Sequence, residues 1–165
     1  MRAVCKTPAH VIEILVDVVA KNGNLLLSIP QRPDGTLDEE CHQVLMELAG
    51  WMQLCGEGIH GTRPFRDGTE GPSGVVVDGF REERVDWTGA DHRFTQRGST
   101  VHAFQMAWPS GGRTVVHALT PYDHVASVRL LGDGPLPFDR IYPAGALVVD
   151  LPGRGPPPLT SAAWR

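Results

Sequence analysis

Cysteine is scarce in this 165-residue chain, which contains Cys5, Cys41 and Cys55 as its three copies. No two of them form a Cys-x-x-Cys pair, and this argues against a structural zinc site. Along one helix Cys41 and Cys55 would lie about 21 Å apart, too far for a disulfide bond between them. We therefore expect all three cysteines to behave as small buried hydrophobic side chains.

Long apolar runs and an excess of positive charge are also missing. The first apolar stretch, residues 11–20, carries Glu13 and Asp17 and is too short and too charged for a signal-peptide core or a membrane span. The formal net charge is -4, and the arginines are scattered without the interleaved aromatic residues of a nucleic-acid surface. The sequence thus predicts neither a membrane partner nor a nucleic-acid partner.

Motifs of familiar metal and cofactor chemistry are absent as well. There is no Gly-x-Ser-x-Gly elbow, P-loop or Gly-x-Gly-x-x-Gly turn. A calcium-like loop starting at Asp34 has Glu39 at the sixth position, where such loops need glycine. The histidines form no metal-binding pair, although His102 and His117 could meet across adjacent strands. We predict no metal site and no cofactor.

The first third of the chain has the pattern of a helix, a strand and a second helix. Thr7 and Pro8 read as a helix start, and the helix should end at Asn22 and Gly23, with the glycine in the left-handed conformation. Residues 25–29 are apolar without alternation, which predicts a strand buried on both faces, as in a parallel sheet. A capping box of Thr36 with Glu39 should then start a second helix that ends at Gly56.

The rest of the chain is rich in glycine and proline. Residues 56–74 have the composition of a linker, and the chain beyond them contains short β-rich runs separated by turns. In the last of these runs Leu147, Val149 and Leu151 should face one way and Asp150 the other. This spacing suggests a small antiparallel β-sandwich with an extended or disordered tail. The runs are STVHAFQMAW, RTVVHAL, VASVRLL and ALVVDL.

The chain resembles a known enzyme family over most of its length. The run LVDVVAKNGNLLLSIPQRPDGTLDEE and the following LAGWMQLCGEGIHGTRPF are similar to the last barrel repeat of glycoside hydrolase family 29, the α-L-fucosidases. In that family an S/A-K-N-G-N-L-L-L-N/S strand precedes an R-x-D-G-T loop and a helix. The runs DHRFTQRGSTVHAFQMAWP and VASVRLLGDGPLPF resemble the family's C-terminal β-sandwich. The similarity extends to about Leu151.

This resemblance implies an α+β chain that is a fragment of a (β/α)8 barrel, helix–strand–helix, followed by a small antiparallel β-sandwich. Residues 1–63 would be the end of the barrel, 64–90 a linker and 91–165 the sandwich. The family works with retention, through an aspartate nucleophile and a separate acid/base carboxylate. Both map to earlier barrel strands, so the resemblance implies no catalytic residue here. The expected pocket-rim residues are Ser28, Ile29, Pro30, Gln31, Arg32 and Asp34.

The resemblance further implies a fucosylated glycan as the substrate of the complete enzyme and a periplasmic or secreted parent protein. Residues 1–60 should dock loosely on the sandwich, associate with a second copy, or pair with a missing N-terminal chain, because their apolar faces lack a sheet to cover. The alternative hypothesis is a non-catalytic sandwich module that binds carbohydrate or another partner.

Overall fold

The chain is α+β, with two helices followed by antiparallel sheets. A computed structural model describes residues 6–75, 77–78, 81–82, 84–151, 153 and 162–164. The elements are α1 (Pro8–Ala20), α2 (Glu39–Cys55), a 3-10 turn (Gly56–Gly58), β1 (Arg63–Glu70), β2 (Val77–Asp78), β3 (Arg81–Glu82), β4 (His92–Arg97), β5 (Thr100–Gln105), β6 (Arg113–Val116), β7 (Val128–Leu130), β8 (Gly134–Leu136), β9 (Phe138–Ile141), β10 (Ala146–Asp150) and β11 (Ala162–Trp164).

Helix α1 begins as its sequence predicts. The Thr7 hydroxyl accepts a hydrogen bond from the His10 N–H at 3.3 Å, and Pro8 occupies the first turn, where its missing N–H costs nothing. The helix ends at Ala20, but Asn22 rather than Gly23 adopts the left-handed conformation, with φ at 64°. Asparagine tolerates this conformation better than most residues. The glycine is needed instead for close packing, because a Cβ atom there would lie 2.8 Å from Val18.

Helix α2 ends where predicted, at Gly56, but the predicted capping box is wrong. Both the N–H and the hydroxyl of Thr36 donate to the Asp34 carboxylate, at 2.9 and 2.7 Å. The Thr36 side chain is therefore committed to the preceding turn, and the helix starts later, with Asp38 as its N-cap residue. Asp38 makes no capping hydrogen bond through its side chain, which pairs with Arg32.

Residues 25–29 do not form the predicted strand. They lie in no helix or strand, and their side chains alternate between half-buried and exposed instead of being buried on both faces. Leu26 is 95% exposed, while Leu25, Leu27 and Ile29 are half-buried. A strand exists only where a neighbouring strand takes up its N–H and C=O groups, and no strand of the described residues pairs with this segment.

The strands form a six-stranded sheet in the order β1-β4-β5-β11-β7-β8, a three-stranded sheet in the order β6-β10-β9, and the β2-β3 pair. The strands predicted near residues 100–105, 113–116, 128–130 and 146–150 are confirmed. One expectation is corrected, because part of the presumed linker is β1, which pairs with β4. The tail, expected to be extended or disordered, contains β11, which lies between β5 and β7.

Two hydrophobic cores hold these elements together. The first contains residues from both larger sheets, including Phe94 and Val128 of one and Leu147 and Val149 of the other. Leu147, Val149 and Leu151 are buried on one side of β10, as predicted. The second core joins the two helices to the opposite face of β5, with its members Ile12, Val16, Trp51, Cys55, Phe104 and Met106. Each large side chain buried in this way contributes about 1.5–3 kcal/mol.

The cysteines differ from the expectation at one position. Cys41 is disulfide-bonded, whereas Cys55 is a buried thiol that forms no disulfide bond. Cys5 lies outside the described residues. Within the described part of the chain, neither helix combines the length and the apolar character that crossing a membrane would require.

Candidate functional site

The predicted rim residues lie together in the loop between α1 and α2. Ser28, Pro30 and Gln31 are exposed, and Ile29 is half-buried beneath them. Burial alternates along residues 25–30, with the odd-numbered side chains half-buried and the even-numbered ones exposed. The segment therefore exposes Leu26, Ser28 and Pro30, while Leu25, Leu27 and Ile29 are half-buried.

The second half of the rim is a tight turn held by its own side chains. The Arg32 guanidinium contacts the Asp38 carboxylate at 2.6 Å, and the Arg32 N–H donates to the Thr36 carbonyl at 2.8 Å. Gly35 has a φ of +84°, which a residue with a Cβ atom rarely adopts. The backbone N–H of Thr36 lowers the pKa of the Asp34 carboxyl, and its hydroxyl adds to this effect. Arg32 and Asp34 thus fix the shape of the loop.

An apolar groove runs between this loop and the helices. It encloses about 290 Å³ and is lined by Lys6, Val11, Ile14, Leu25, Leu26, Leu27, Ser28, Ile29, Pro30 and Val44. Ser28 and Lys6 are its polar members, so the groove offers apolar contact rather than acid–base chemistry.

The most buried charged residues lie elsewhere, between α1 and the six-stranded sheet. Arg93 donates through Nε to the Asp17 carboxylate at 2.5 Å, and both side chains are at most 5% exposed. Lys21 approaches the other carboxylate oxygen at 2.7 Å from the surface. The Arg93 guanidinium also stacks over the Trp87 ring, 4.7 Å from its centroid. Sequence reasoning missed this pair, although Asp17 follows Val16 on the buried side of α1.

A second polar cluster connects the two larger sheets. The His92 Nε2 atom lies 2.9 Å from Gln105 Oε1 and 2.8 Å from Thr114 Oγ1, and Nδ1 lies 3.2 Å from the Ala90 carbonyl. Burial lowers the pKa of His92 and outweighs the nearby Glu70 carboxylate, which raises it. Histidine at this position is therefore held neutral at physiological pH.

Asp91, next to His92, is saturated by hydrogen bonds. Its carboxylate accepts from the Ser73 N–H at 2.8 Å and from both the N–H and the hydroxyl of Thr88 at 2.7 Å. Burial raises the pKa of Asp91, but these hydrogen bonds outweigh it and keep the pKa below its ordinary value. A carboxylate engaged in this way fixes two loops and is poorly placed to exchange protons with a substrate.

His102 and His117, which the sequence could place on adjacent strands, lie on different sheets. His102 lies on β5 of the six-stranded sheet, whereas His117 follows β6 of the other sheet, so the two do not face each other across adjacent strands. In the described ranges, no three histidine, cysteine, aspartate or glutamate side chains cluster closely enough to hold a metal ion.

Two exposed tyrosines stand on neighbouring turns beside the three-stranded sheet. Tyr122 is 96% exposed and Tyr142 is 74% exposed. The Arg140 guanidinium donates to the carbonyl groups of Thr120 at 3.0 Å and Gly145 at 2.6 Å, which ties the two turns to each other. The sequence analysis did not single out these residues.

Comparison with known protein families gives a match in the helical part of the chain. Residues 2–57 match the family model described as Alpha-L-fucosidase. The tissue alpha-L-fucosidase of Mus musculus is 28% identical over 158 residues, which cover 94% of this chain and 31% of that protein. The plasma alpha-L-fucosidase of Homo sapiens is 26% identical over 149 residues, covering 88% and 28%. The chain spans about a third of the length of these curated relatives.

Solved structures give the same result for the fold. Alpha-L-fucosidase isoenzyme 1 of Paenibacillus thiaminolyticus superposes with a TM-score of 0.69 at 24% identity, over 96% of this chain and 34% of the other. A GH29 alpha-L-fucosidase of Bacteroides thetaiotaomicron, trapped as a covalent intermediate, gives a TM-score of 0.71 at 19% identity, over 99% and 33%. The resemblance to the α-L-fucosidases of glycoside hydrolase family 29 is thereby confirmed, and this chain corresponds to their C-terminal part.

Proposed function

We propose that this chain is the C-terminal part of an α-L-fucosidase that releases α-L-fucose from fucosylated glycans, and that the chain alone is inactive. Residues 1–63 supply the last helix–strand–helix unit of a (β/α)8 barrel, and residues 64–90 lead into an antiparallel β-sandwich formed by residues 91–165, to which β1 adds an edge strand. The nucleophile and the acid/base carboxylate are contributed by barrel strands outside this chain. The core shared by the two larger sheets supports the sandwich assignment.

The observation that carries this proposal is the state of residues 25–29. In a closed barrel every strand is paired on both edges, and the sheet is covered on its outer face by helices. Here Leu25 and Leu27 are half-buried and line the groove, while Leu26 is 95% exposed. A barrel strand without its neighbours has these properties.

The six rim residues have two roles in this proposal. Ser28, Ile29, Pro30 and Gln31 come directly after the strand and shape the edge of the sugar pocket, while Arg32 and Asp34 hold the turn that positions them. The partner that completes the pocket is the rest of the barrel, supplied by an N-terminal chain. Association with a second copy would cover the apolar faces of residues 1–60 without completing the pocket.

An activity assay combined with amide hydrogen exchange tests the proposal. Purified chain incubated with an aryl α-L-fucoside should release no product. The amides of residues 25–29 should exchange rapidly, whereas those of Phe104 and Ala103 in the middle of the six-stranded sheet should exchange far more slowly. Turnover by the chain alone would contradict the absence of catalytic carboxylates. Strong protection of residues 25–29 in a monomer would contradict the barrel-strand assignment.

A second candidate function, a carbohydrate-binding module, is favoured by the exposed tyrosines. Exposed aromatic rings held on rigid turns are suited to stacking on the apolar face of a sugar ring. A tyrosine offers an apolar ring face for this contact and a hydroxyl group that stays in water. Asp123 strengthens the turn of Tyr122 by accepting hydrogen bonds from Thr120 and Arg66, each at 2.7 Å. Burial raises the Asp123 pKa, but these bonds outweigh it and lower the pKa overall.

Titration with L-fucose separates the two candidates. Saturable binding without turnover, lost in Tyr122→Ala combined with Tyr142→Ala, would support the module. Met46→Ala is the matched control, because Met46 is an exposed apolar residue on α2, away from these turns. If the tyrosine variant binds L-fucose as tightly as the unaltered chain, the module hypothesis is wrong.

A further inference from the structure

The end of α1 places an asparagine–glycine pair, Asn22 and Gly23, at the surface. Both residues are exposed, and Asn22 holds the left-handed conformation with φ at 64°. The Asn22 carboxamide makes no hydrogen bond with another of the described residues. Its Cγ atom is therefore accessible, and the Gly23 nitrogen is the main-chain nitrogen that can reach it by closing a five-membered ring.

An asparagine that precedes glycine can lose ammonia without an enzyme. The Gly23 nitrogen gives its proton to hydroxide and forms a bond to Cγ of Asn22, and the side-chain nitrogen leaves as ammonia. Water then opens the resulting succinimide ring. Cleavage between Cγ and the nitrogen gives aspartate, whereas cleavage at the main-chain carbonyl gives isoaspartate, in which the main chain passes through the former side chain. In total, water is consumed and ammonia is released.

Hydrogen bonds at the helix end restrain this reaction. The Gly23 N–H donates to the Val18 carbonyl at 2.8 Å, and the Asn22 N–H donates to the Val19 carbonyl at 3.0 Å. Such bonds satisfy the last carbonyl groups of a helix. Ring closure requires that the Gly23 N–H be released and that the Asn22 backbone rotate out of the left-handed conformation. The last turn of α1 must therefore open before the nitrogen can react.

We propose that Asn22 is a site of spontaneous deamidation in this chain, and that the hydrogen bond from Gly23 to Val18 controls its rate. The reactive molecules are those in which the last turn of α1 is open, and helix ends open more readily than the middle of a helix. Because two hydrogen bonds must break first, the folded chain should deamidate about tenfold more slowly than the unfolded chain.

The second asparagine of the chain, Asn24, provides an internal comparison. It is also exposed, but Leu25 follows it. The branched leucine side chain hinders the approach of its own nitrogen to the asparagine side chain, whereas glycine has no side chain to interfere. Asn24 should therefore remain unmodified over the time in which Asn22 reacts.

Either product should weaken the end of α1. Aspartate places a negative charge at the C-terminal end of the helix, where the helix dipole disfavours it. Isoaspartate lengthens the main chain between the N–H groups of residues 22 and 23, so these groups cannot both keep their partners on Val18 and Val19. The modification thus loosens the point at which α1 leads into residues 25–29.

Peptide mapping by mass spectrometry after incubation at mildly alkaline pH tests the inference. Aspartate and isoaspartate should accumulate at Asn22 and not at Asn24, more slowly in the folded chain than in urea. The ratio of the two rates should match, to the order of magnitude, the hydrogen-exchange protection of the Gly23 amide, because the same opening frees this nitrogen for both reactions. Equal rates in the folded and the unfolded chain would overturn the control by the helix end.

A variant pair identifies the reacting residue. Asn22→Gly removes the carboxamide and keeps a residue that adopts the left-handed conformation without strain, so it should abolish the release of ammonia. Asn24→Gly is the matched control and should leave the rate at Asn22 unchanged. Ammonia released by Asn22→Gly at the rate of the unaltered chain, or conversion at Asn24 as fast as at Asn22, would overturn the proposal.

Discussion

Asp17 and Arg93 meet between α1 and β4, where water has almost no access. Their contact of 2.5 Å joins residues that are 76 positions apart in the chain. Removing two charges from water is expensive, and the pair compensates for this only while both members are present. Lys21 touches the same carboxylate, but its side chain is 44% exposed and its charge is largely solvated.

Substitution of Asp17 should therefore lower the stability of the fold strongly, whereas substitution of Lys21 should lower it only slightly. Asp17→Asn leaves the buried guanidinium without a counterion, and we expect a loss of about 3–5 kcal/mol in the free energy of unfolding. Lys21→Met removes only the surface partner and should cost less than about 1 kcal/mol. Urea unfolding followed by circular dichroism measures both. Similar losses for the two variants would show that Arg93 does not depend on Asp17.

At the scale of elements, β1 and α1 are in unusually close contact. The register of β1 against β4 shifts between Pro64 and Thr69, and Gly68 lies within this bulge with a φ of +71°. A Cβ atom on Gly68 would overlap the carbonyl oxygen of Ala20 at the end of α1. The bulge thus brings the backbone of β1 at Gly68 into direct contact with the backbone of α1 at Ala20.

Gly68→Ala should accordingly reduce the stability of the fold by more than the penalty for the left-handed conformation alone. A non-glycine residue in that conformation costs about 1–2 kcal/mol. Gly98→Ala, in the turn between β4 and β5, should show only this cost, because φ there is +61° and no atom lies within 4 Å of the added Cβ. Gly68→Ala adds a clash with backbone, so its melting temperature should fall further. Equal melting temperatures would indicate that the helix end moves away without penalty.

Local sequence chemistry predicted the helices and the later strands well, and it failed where tertiary contacts decide. Thr7 caps α1 through its hydroxyl, whereas the Thr36 hydroxyl is bonded to Asp34 and does not cap α2. The apolar pattern of residues 25–29 predicts a paired strand, but no strand among the described residues lies beside this segment to pair with it. The rim residues could be named from the family resemblance, but the Asp17–Arg93 pair and the His92–Thr114 contact depend on residues far apart in sequence.

At the scale of the whole molecule, His92 connects the two larger sheets through a side-chain hydrogen bond. It lies on β4 of the six-stranded sheet and contacts Thr114 on β6 of the other. Burial lowers its pKa in the folded chain, while in the unfolded chain the pKa returns to about 6.5. Between these two values the unfolded state binds more protons, so the stability due to neutral His92 is complete above about 6.5 and is lost as the pH falls.

The free energy of unfolding should therefore decrease on acidification from about pH 7.5 to about pH 5, with His92 adding at most about 1.4 kcal/mol per pH unit. His92→Gln keeps a hydrogen-bonding side chain without the titration and should flatten the profile. His124→Gln, at an exposed histidine, should leave the slope unchanged. The pKa of the neighbouring Asp91 carboxyl is lowered by its hydrogen bonds, so Asp91 titrates below this range, and a slope that persists in His92→Gln would contradict the assignment to His92.

The ion pair between α1 and β4 also bears on how this part of the protein is inherited. One charge comes from the helical portion and the other from the sheet portion, on opposite sides of the expected boundary near residue 63. A chimera that takes its helices from one relative and its strands from another must receive both halves, or it buries a lone charge. Recombination at that boundary is therefore selected against, and the two portions should be transmitted through evolution as one block.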